Sequence, residues 1–215
     1  MKPGQRTRLH RLPERGAYDL ETVHSILDAG FLAHVGFSVD SQVVVIPTLY
    51  ARSGDALYLH GSADSRTLRV LATGSTACVT VTLVDGLVLA RSAFHHSMNY
   101  RSVVAFGTAR SIVSAAQRVK ALHTISEHIV AGRWNEVRGP SRAELEMTAV
   151  LKFTIEEASA KVRKGPPLDD EEDYRRRVWA GVLPLRMETG EPLPDPRLDA
   201  AIAAPQYLSR LKMGR

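Results

Sequence analysis

Between Phe31 and Ile155 the apolar residues fall into short blocks of branched and aromatic side chains, several with strict alternation, and each block predicts a strand. The segments FLAHVGFSVD and QVVVIPTLYA, separated at Asp40-Ser41, have the pattern of a hairpin, and the turn Arg52-Ser53-Gly54-Asp55 leads into a third antiparallel strand, ALYLHGS. Pro47 lies inside the second of these strands and has no N–H for a ladder, so that strand must have an edge, a bulge or an opening there. Two more long segments read as strands, ACVTVTLVDGLVLA with a bend at Asp85-Gly86 and YRSVVAFGTARSIV. The last is MTAVLKFTI, where Ala149, Leu151, Phe153 and Ile155 alternate with Val150, Lys152 and Thr154.

Helical spacing interrupts this β pattern. Asp19 is placed to cap a helix that carries Leu20, Val23 and Leu27 on one face, with Gly30 where a left-handed C-terminal residue is expected. A polar turn after ALYLHGS opens a short helix with Leu68 and Leu71 three apart, ending at Gly74. In SAAQRVKALHTISEHIV, Ser114 and Gln117 have capping-box spacing, and Val119, Leu122, Ile125 and Ile129 share a face. About six strands, mostly joined as hairpins, exclude a doubly wound parallel sheet. The economical solution is a mainly β fold with α (α+β), a small closed or split antiparallel barrel with inserted and flanking helices. Residues 1–18 lack periodicity and read as an arm, 19–160 as the barrel domain, and 161–215, rich in Pro and charge but punctuated by Val178, Trp179, Val182 and Leu183, as an extended tail over this barrel or a neighbour's.

Composition narrows the class. With 215 residues, 44% hydrophobic and 24% charged, the chain can bury one sizeable core. The single cysteine, Cys78, can form no internal disulfide, and neither a leader-like apolar stretch nor an 18-residue apolar run is present; the expectation is a cytoplasmic protein with no membrane partner. A net charge of +5 raises the question of nucleic acid. However, Lys2, Arg6, Arg8, Arg11 and Arg15 crowd the N-terminal arm rather than forming a basic stripe, so no nucleic-acid partner is expected, and anionic ligands remain open at single sites.

Glycine-rich dinucleotide and Walker loops, zinc spacing and a nucleophile elbow are all missing, and His123 and His128, five apart on a helix, face different ways; no metal is expected. Two polar clusters at strand ends carry what chemistry there is. In the first, His60-Gly61-Ser62 ends a strand, and the hydroxyls of Ser62, Ser65 and Thr67 with the Arg66 guanidinium can converge on one small dianion such as phosphate. The alternative is that Asp64 or Ser65 simply caps the helix and Arg66 lies in solvent. In the second, HHSMNYRSVV places Ser97, Asn99, Tyr100, Arg101 and Ser102 where an irregular segment enters a buried strand, suited to ligand contacts or to a polar rim.

Taken together and in this order, IPTLYA, LYLHGSADSRTL and HHSMNYRSVV closely resemble the pyridoxamine 5'-phosphate oxidase-like family of flavin mononucleotide (FMN) proteins, in the branch of the nitroimidazole-resistance proteins. The resemblance spans roughly Tyr18 to Val162, and SAKVRKGPPLDDEEDY with VWAGVLPL is similar to the tail of one bacterial subgroup. It implies a six-stranded antiparallel split β-barrel and a homodimer with two FMN sites at the subunit interface. Ser65 and Arg66 match the serine and arginine that grip the flavin phosphate, with Gly61, Ser62 and Thr67 around them; a lysine often follows that arginine in the family and is Thr67 here. Thr48 and Tyr50 match the strand beneath the ring system, and Arg101 and Ser102, with Asn99 and Tyr100, the segment that reaches in from the second subunit. The long C-terminal element of the true oxidases, with its pyridoxal-phosphate contacts, is not recognisable.

Two functions follow from this resemblance. One is an FMN-dependent oxidoreductase acting on a small organic substrate, with a nicotinamide nucleotide as electron donor and His60 as the catalytic candidate that tunes the flavin. For His60 a hydrogen-bonded structural role is the equal alternative. The other function is a binding protein for FMN or a related ligand such as haem or a deazaflavin, a reading helped by the lack of an obvious general acid or base.

Overall fold

A computed structural model describes residues 4–211. The ends of the arm and of the tail, residues 1–3 and 212–215, lie outside the described residues. The elements in chain order are β1 (Gly16–Ala17), α1 (Leu20–Ala29), β2 (Leu32–Val39), β3 (Gln42–Ser53), β4 (Ala56–Ser62), α2 (Arg66–Ala72), β5 (Thr76–Leu89), β6 (Ser97–Ser111), α3 (Ala115–Ile129), α4 (Arg142–Glu146), β7 (Thr148–Arg163) and β8 (Gly181–Pro184). All pairings are antiparallel, and they run β7–β4–β3–β2–β5–β6, with β6 pairing β7 as well. The fold is α+β, mostly antiparallel sheet, in the split-barrel arrangement expected. Two short strands go beyond the six: β1 in the arm pairs β7, and β8 in the tail pairs β5 of its own chain.

Local chemistry explains the turns. Asp40 and Ser41 both adopt left-handed backbone, φ 51 and 62, as a two-residue hairpin of this twist demands. A register shift between Val84 and Gly86 puts the β5 bulge at the predicted bend. Pro47 is tolerated because β4 pairs β3 only from Tyr50 to Ser53, so β3 from Gln42 to Leu49 is paired on one side alone, with β2.

The inward faces of the long strands, among them Val35, Leu57, Leu59, Val79, Val81, Val103, Leu151 and Phe153, form one continuous buried core. Capped by Asp19 through the Thr22 N–H at 2.7 Å, α1 buries Val23, Ile26 and Leu27 against it, each contributing roughly 1.5–3 kcal/mol. Gly30 does not take the expected left-handed conformation: it is extended, at φ −93 and ψ 158. Space requires the glycine instead, since a Cβ there would meet Val81 Cγ1 at 2.7 Å and the Tyr50 hydroxyl at 3.0 Å.

Candidate functional site

Strand alternation separates the residues around the end of β4 into two sets. Thr48 and Ile46 of β3 and Leu59, Gly61 and Ser62 of β4, together with Ser65, Thr67, Leu68 and Leu71 at α2, line a cavity of about 110 Å³. Leu49 and His60 face the opposite side, where Leu122, Ile125 and Ile129 of α3 and Trp134, Arg138 and Glu144 of the following segment line a second cavity of about 500 Å³. His60 borders both.

In the first cavity the predicted residues meet. Ser65 is the N-cap of α2, accepting from the Leu68 N–H at 3.4 Å, and Ser62 Oγ accepts from the Asp64 N–H at 3.2 Å. Capping and ligand binding are therefore compatible, because each hydroxyl spends a lone pair on the backbone and keeps its O–H to donate. Arg66 stands outside the lining, exposed, with Asp40 3.7 Å away, a contact too loose and wet to hold it. Its fork is free to turn toward an anion at the cavity mouth. Tyr50 corrects the sequence reading: although it shares a strand face with Thr48, it is fully buried, its hydroxyl donates to Leu27 O at 2.6 Å, and burial pushes its pKa up. Its side chain is part of the core.

Asn99, Tyr100, Arg101 and Ser102 lie elsewhere. Ser62 pairs with Thr148 and Arg101 with Val162, at opposite ends of β7, a strand contour of roughly 45 Å at about 3.3 Å per residue. Neither of the two cavities is lined by any residue of Asn99 to Ser102. At the far end Arg101 is held by Asp85 at 3.0 and 2.8 Å, which raises its pKa, and Ser102 donates to Lys161 O at 3.3 Å. Asn99 is buried, donating to Gly165 O at 3.1 Å and accepting from Arg163. Arg163 is itself buried, has no carboxylate within 4.0 Å among the described residues, and gives its other contacts to the carbonyls of Gly165 and Pro166.

The pyridoxamine 5'-phosphate oxidase family model matches residues 19–162, well over half of the chain. The chain belongs to that family. Among solved structures of the family it is similar to the flavocytochrome Anf3 from Azotobacter vinelandii, with 42% identity, 99% of each chain covered and a TM-score of 0.92. It is also similar to an FAD and haem binding protein from Mycobacterium smegmatis, with 35% identity, 93% of this chain and 98% of that one covered, and a TM-score of 0.88. A protein from Bacteroides thetaiotaomicron named for 5-nitroimidazole antibiotic resistance shares the fold at 21% identity, 68% and 87% coverage and a TM-score of 0.58. A search of curated proteins finds no match.

The second cavity was not foreseen. The apolar face of α3 is legible, but periodicity does not tell a face packed on the barrel from one held off it, and Leu122 and Ile129 remain half-buried where they border the space. Among the described residues no helix is long and apolar enough to cross a membrane, and no cluster of His, Cys, Asp or Glu suits a metal ion. His60 lacks what the structural alternative required, since Nδ1 is buried with no hydrogen-bond partner. Its burial lowers its pKa, which keeps the ring neutral at pH 7.

At the rim of the same cavity, Glu144 accepts from Arg138 at 2.8 and 2.6 Å and from the Ser141 N–H at 2.7 Å in the capping box of α4. These donors, Arg138 first, lower its pKa from 4.5 to about 2. Its native pKa lies below the unfolded value, so the stability it lends is complete above pH 4.5 and is lost as pH falls toward about 2. In thermal unfolding across that range, the gap in stability between the parent protein and Glu144→Gln is expected to narrow with acid. A gap that stays constant would show that the carboxylate charge plays no part.

Proposed function

We propose that the protein is a homodimeric flavin-dependent oxidoreductase, with the FMN moiety of its cofactor anchored by Ser62, Ser65, Arg66 and Thr67 of one subunit and completed by the Arg101 and Ser102 segment of the other. The observation that carries this reading is the separation of the two polar clusters on β7 within a chain of this family. Size supports it as well. A cavity of about 110 Å³ accepts a phosphate and part of a ribityl chain, well short of the about 300–1,000 Å³ that enclose a whole cofactor. The unpaired side of β3 supports a partner: Val43 and Val45 are 82% and 57% exposed there, a surface that a second copy covers.

Bound flavin supplies reversible hydride and single-electron chemistry with a nicotinamide nucleotide as donor and a small organic substrate as acceptor. The chain binds and orients it. Hydroxyl donors and the Arg66 fork take the phosphate, Thr48 stands below the ring side of the cavity, and His60, neutral and without a protein partner, stands at the cavity wall where it can donate to a ring edge. The name of the Mycobacterium smegmatis relative favours FAD over FMN as the form carried, and the same phosphate grip serves either.

Arg66→Ala is expected to weaken FMN binding by about 1.5–3 kcal/mol, the range for hydrogen bonds to a charged group, and to leave riboflavin binding unchanged. Arg66→Lys keeps charge but loses the planar fork and should fall between. Equal affinities of parent and Arg66→Ala for FMN would remove Arg66 from the site. Absorbance of the freshly purified protein and analysis of the released cofactor distinguish FMN from FAD, and anaerobic addition of a nicotinamide nucleotide distinguishes an oxidoreductase, whose flavin bleaches, from a protein that only binds.

A further inference from the structure

The cavity between α3 and the outer face of β3 and β4 takes no part in holding the flavin phosphate, yet it is built like a pocket for a small molecule. At about 500 Å³ it falls within the about 300–1,000 Å³ typical of such pockets. Leu49, Leu122, Ile125, Ile129 and Pro140 give it aliphatic walls and Trp134 an aromatic one. Trp134 is held from two sides: its backbone N–H donates to the Glu127 carboxylate at 3.1 Å, and the His123 ring stands at 76° to the indole with centroids 5.4 Å apart. An indole fixed in this way favours a flat ring stacked on it or set edge-on against it. Leu122 and Ile129 are only half-buried where they border the space, so it opens to solvent and an occupant can enter and leave.

The charged groups on this cavity cancel. Arg138 and Glu144 line it together, joined by hydrogen bonds of 2.8 and 2.6 Å, and the Ser141 N–H holds the same carboxylate at 2.7 Å. An anion that reached Arg138 would lie beside the ionised Glu144, and a cation that reached Glu144 would lie beside Arg138, so neither charge is welcomed. Among the apolar walls the Ser126 hydroxyl can meet one carbonyl- or nitro-type oxygen. We infer that this cavity holds the organic substrate, and that the substrate is a neutral, flat, largely apolar aromatic molecule rather than an acid or a phosphate ester. Calling the occupant a substrate rests on the flavin-oxidoreductase reading, whereas the pocket and its preference for neutral rings do not. Its position fits that role: His60 is the one residue that lines both cavities, so a single side chain separates an occupant from the flavin cavity, and nothing more is asked of His60 here than to be that wall.

Trp134 fluorescence reads the cavity directly. The chain has two tryptophans, and Trp179→Phe, at an exposed position in the tail, leaves Trp134 as the only one. In that full-length protein 1-nitronaphthalene is expected to quench saturably at one molecule per chain. The same ring carrying a carboxylate, 4-nitro-1-naphthoate, should bind at least ~10-fold more weakly, because its charge enters without a partner. Leu122→Arg, which sets a charge in the apolar wall, should abolish the quenching and leave flavin content unchanged; Ser126→Phe, which fills the space without a charge, should do the same and serves if Leu122→Arg fails to fold. In flavin-loaded protein the titration should also shift the visible absorbance of the flavin over the same concentration range. Arg66→Ala should lose flavin and keep the quenching, so failure of the flavin reading and failure of this one are separable. Quenching that never saturates overturns the inference, as does equal binding of the carboxylate, saturable quenching that survives both cavity variants, or saturable binding that leaves the flavin spectrum unmoved.

Discussion

Replacing Val43 and Val45 together by aspartate is expected to convert the protein into a monomer and to remove its flavin. The two side chains lie on the stretch of β3 that β4 leaves unpaired, and in a folded monomer both would stand largely in water. Substitution of such exposed residues ordinarily changes stability by no more than about 0.5 kcal/mol. If a second copy covers them, the cost is of another order: each buried valine contributes roughly 1.5 kcal/mol or more, two-fold symmetry doubles the pair, and about 6 kcal/mol is withdrawn from association before the charge is counted. Sedimentation velocity reads the result directly. A variant that remains a dimer and keeps its flavin would place the interface on another surface.

Gly107→Ala should produce the largest loss of stability. Gly107 sits at the register shift where β6 crosses β7, and a Cβ there would fall 1.9 Å from Thr154 O and 3.1 Å from the Phe153 ring. The obstacle is backbone, so relief requires the β6–β7 seam itself to open, and that seam joins the two ends of the ring of pairings. A loss of about 3 kcal/mol, the upper part of the overpacking range, corresponds to a fall in Tm of about 10 °C for a chain of this size. Gly139→Ala is the control, since a Cβ at that position meets nothing within 4 Å. Similar melting of the two variants would mean that the seam yields easily.

What could be read from the residues follows from the range of the forces involved. Alternation, turn chemistry and Pro47 act over a few positions, and so the hairpins, the bend at Asp85-Gly86 and the free edge of β3 were legible. The short strands β1 and β8 were not: Gly16–Ala17 and Gly181–Pro184 have no periodicity to detect and are strands only because β7 and β5 offer them edges. Gly61, Ser62, Ser65 and Thr67, which line one cavity, could be grouped from the residues because they fall within seven positions, from the end of β4 to the first turn of α2. Tyr50 was misplaced for a related reason. Matching a strand to a ring system says which face a residue occupies and not how deep it sits, and Tyr50, two residues beyond Thr48, is already under α1 with its hydroxyl on Leu27. Arg138 and Trp134 escaped notice because they approach His60 from more than 70 positions away, through a loop whose course no local pattern reveals.

The central claim is that each flavin site is built from both subunits, and subunit complementation tests it most directly. Arg66→Ala and Arg101→Ala each damage both sites of their own homodimer. In a mixed dimer the two lesions fall in the same site, and the other site recovers an intact Arg66 from one chain and an intact Arg101 from its partner. Co-expressed and purified through two different tags, the mixed dimer is predicted to carry one flavin per dimer at a concentration where neither variant homodimer holds any. Mixed dimers as empty as their parents would contradict a site shared between chains.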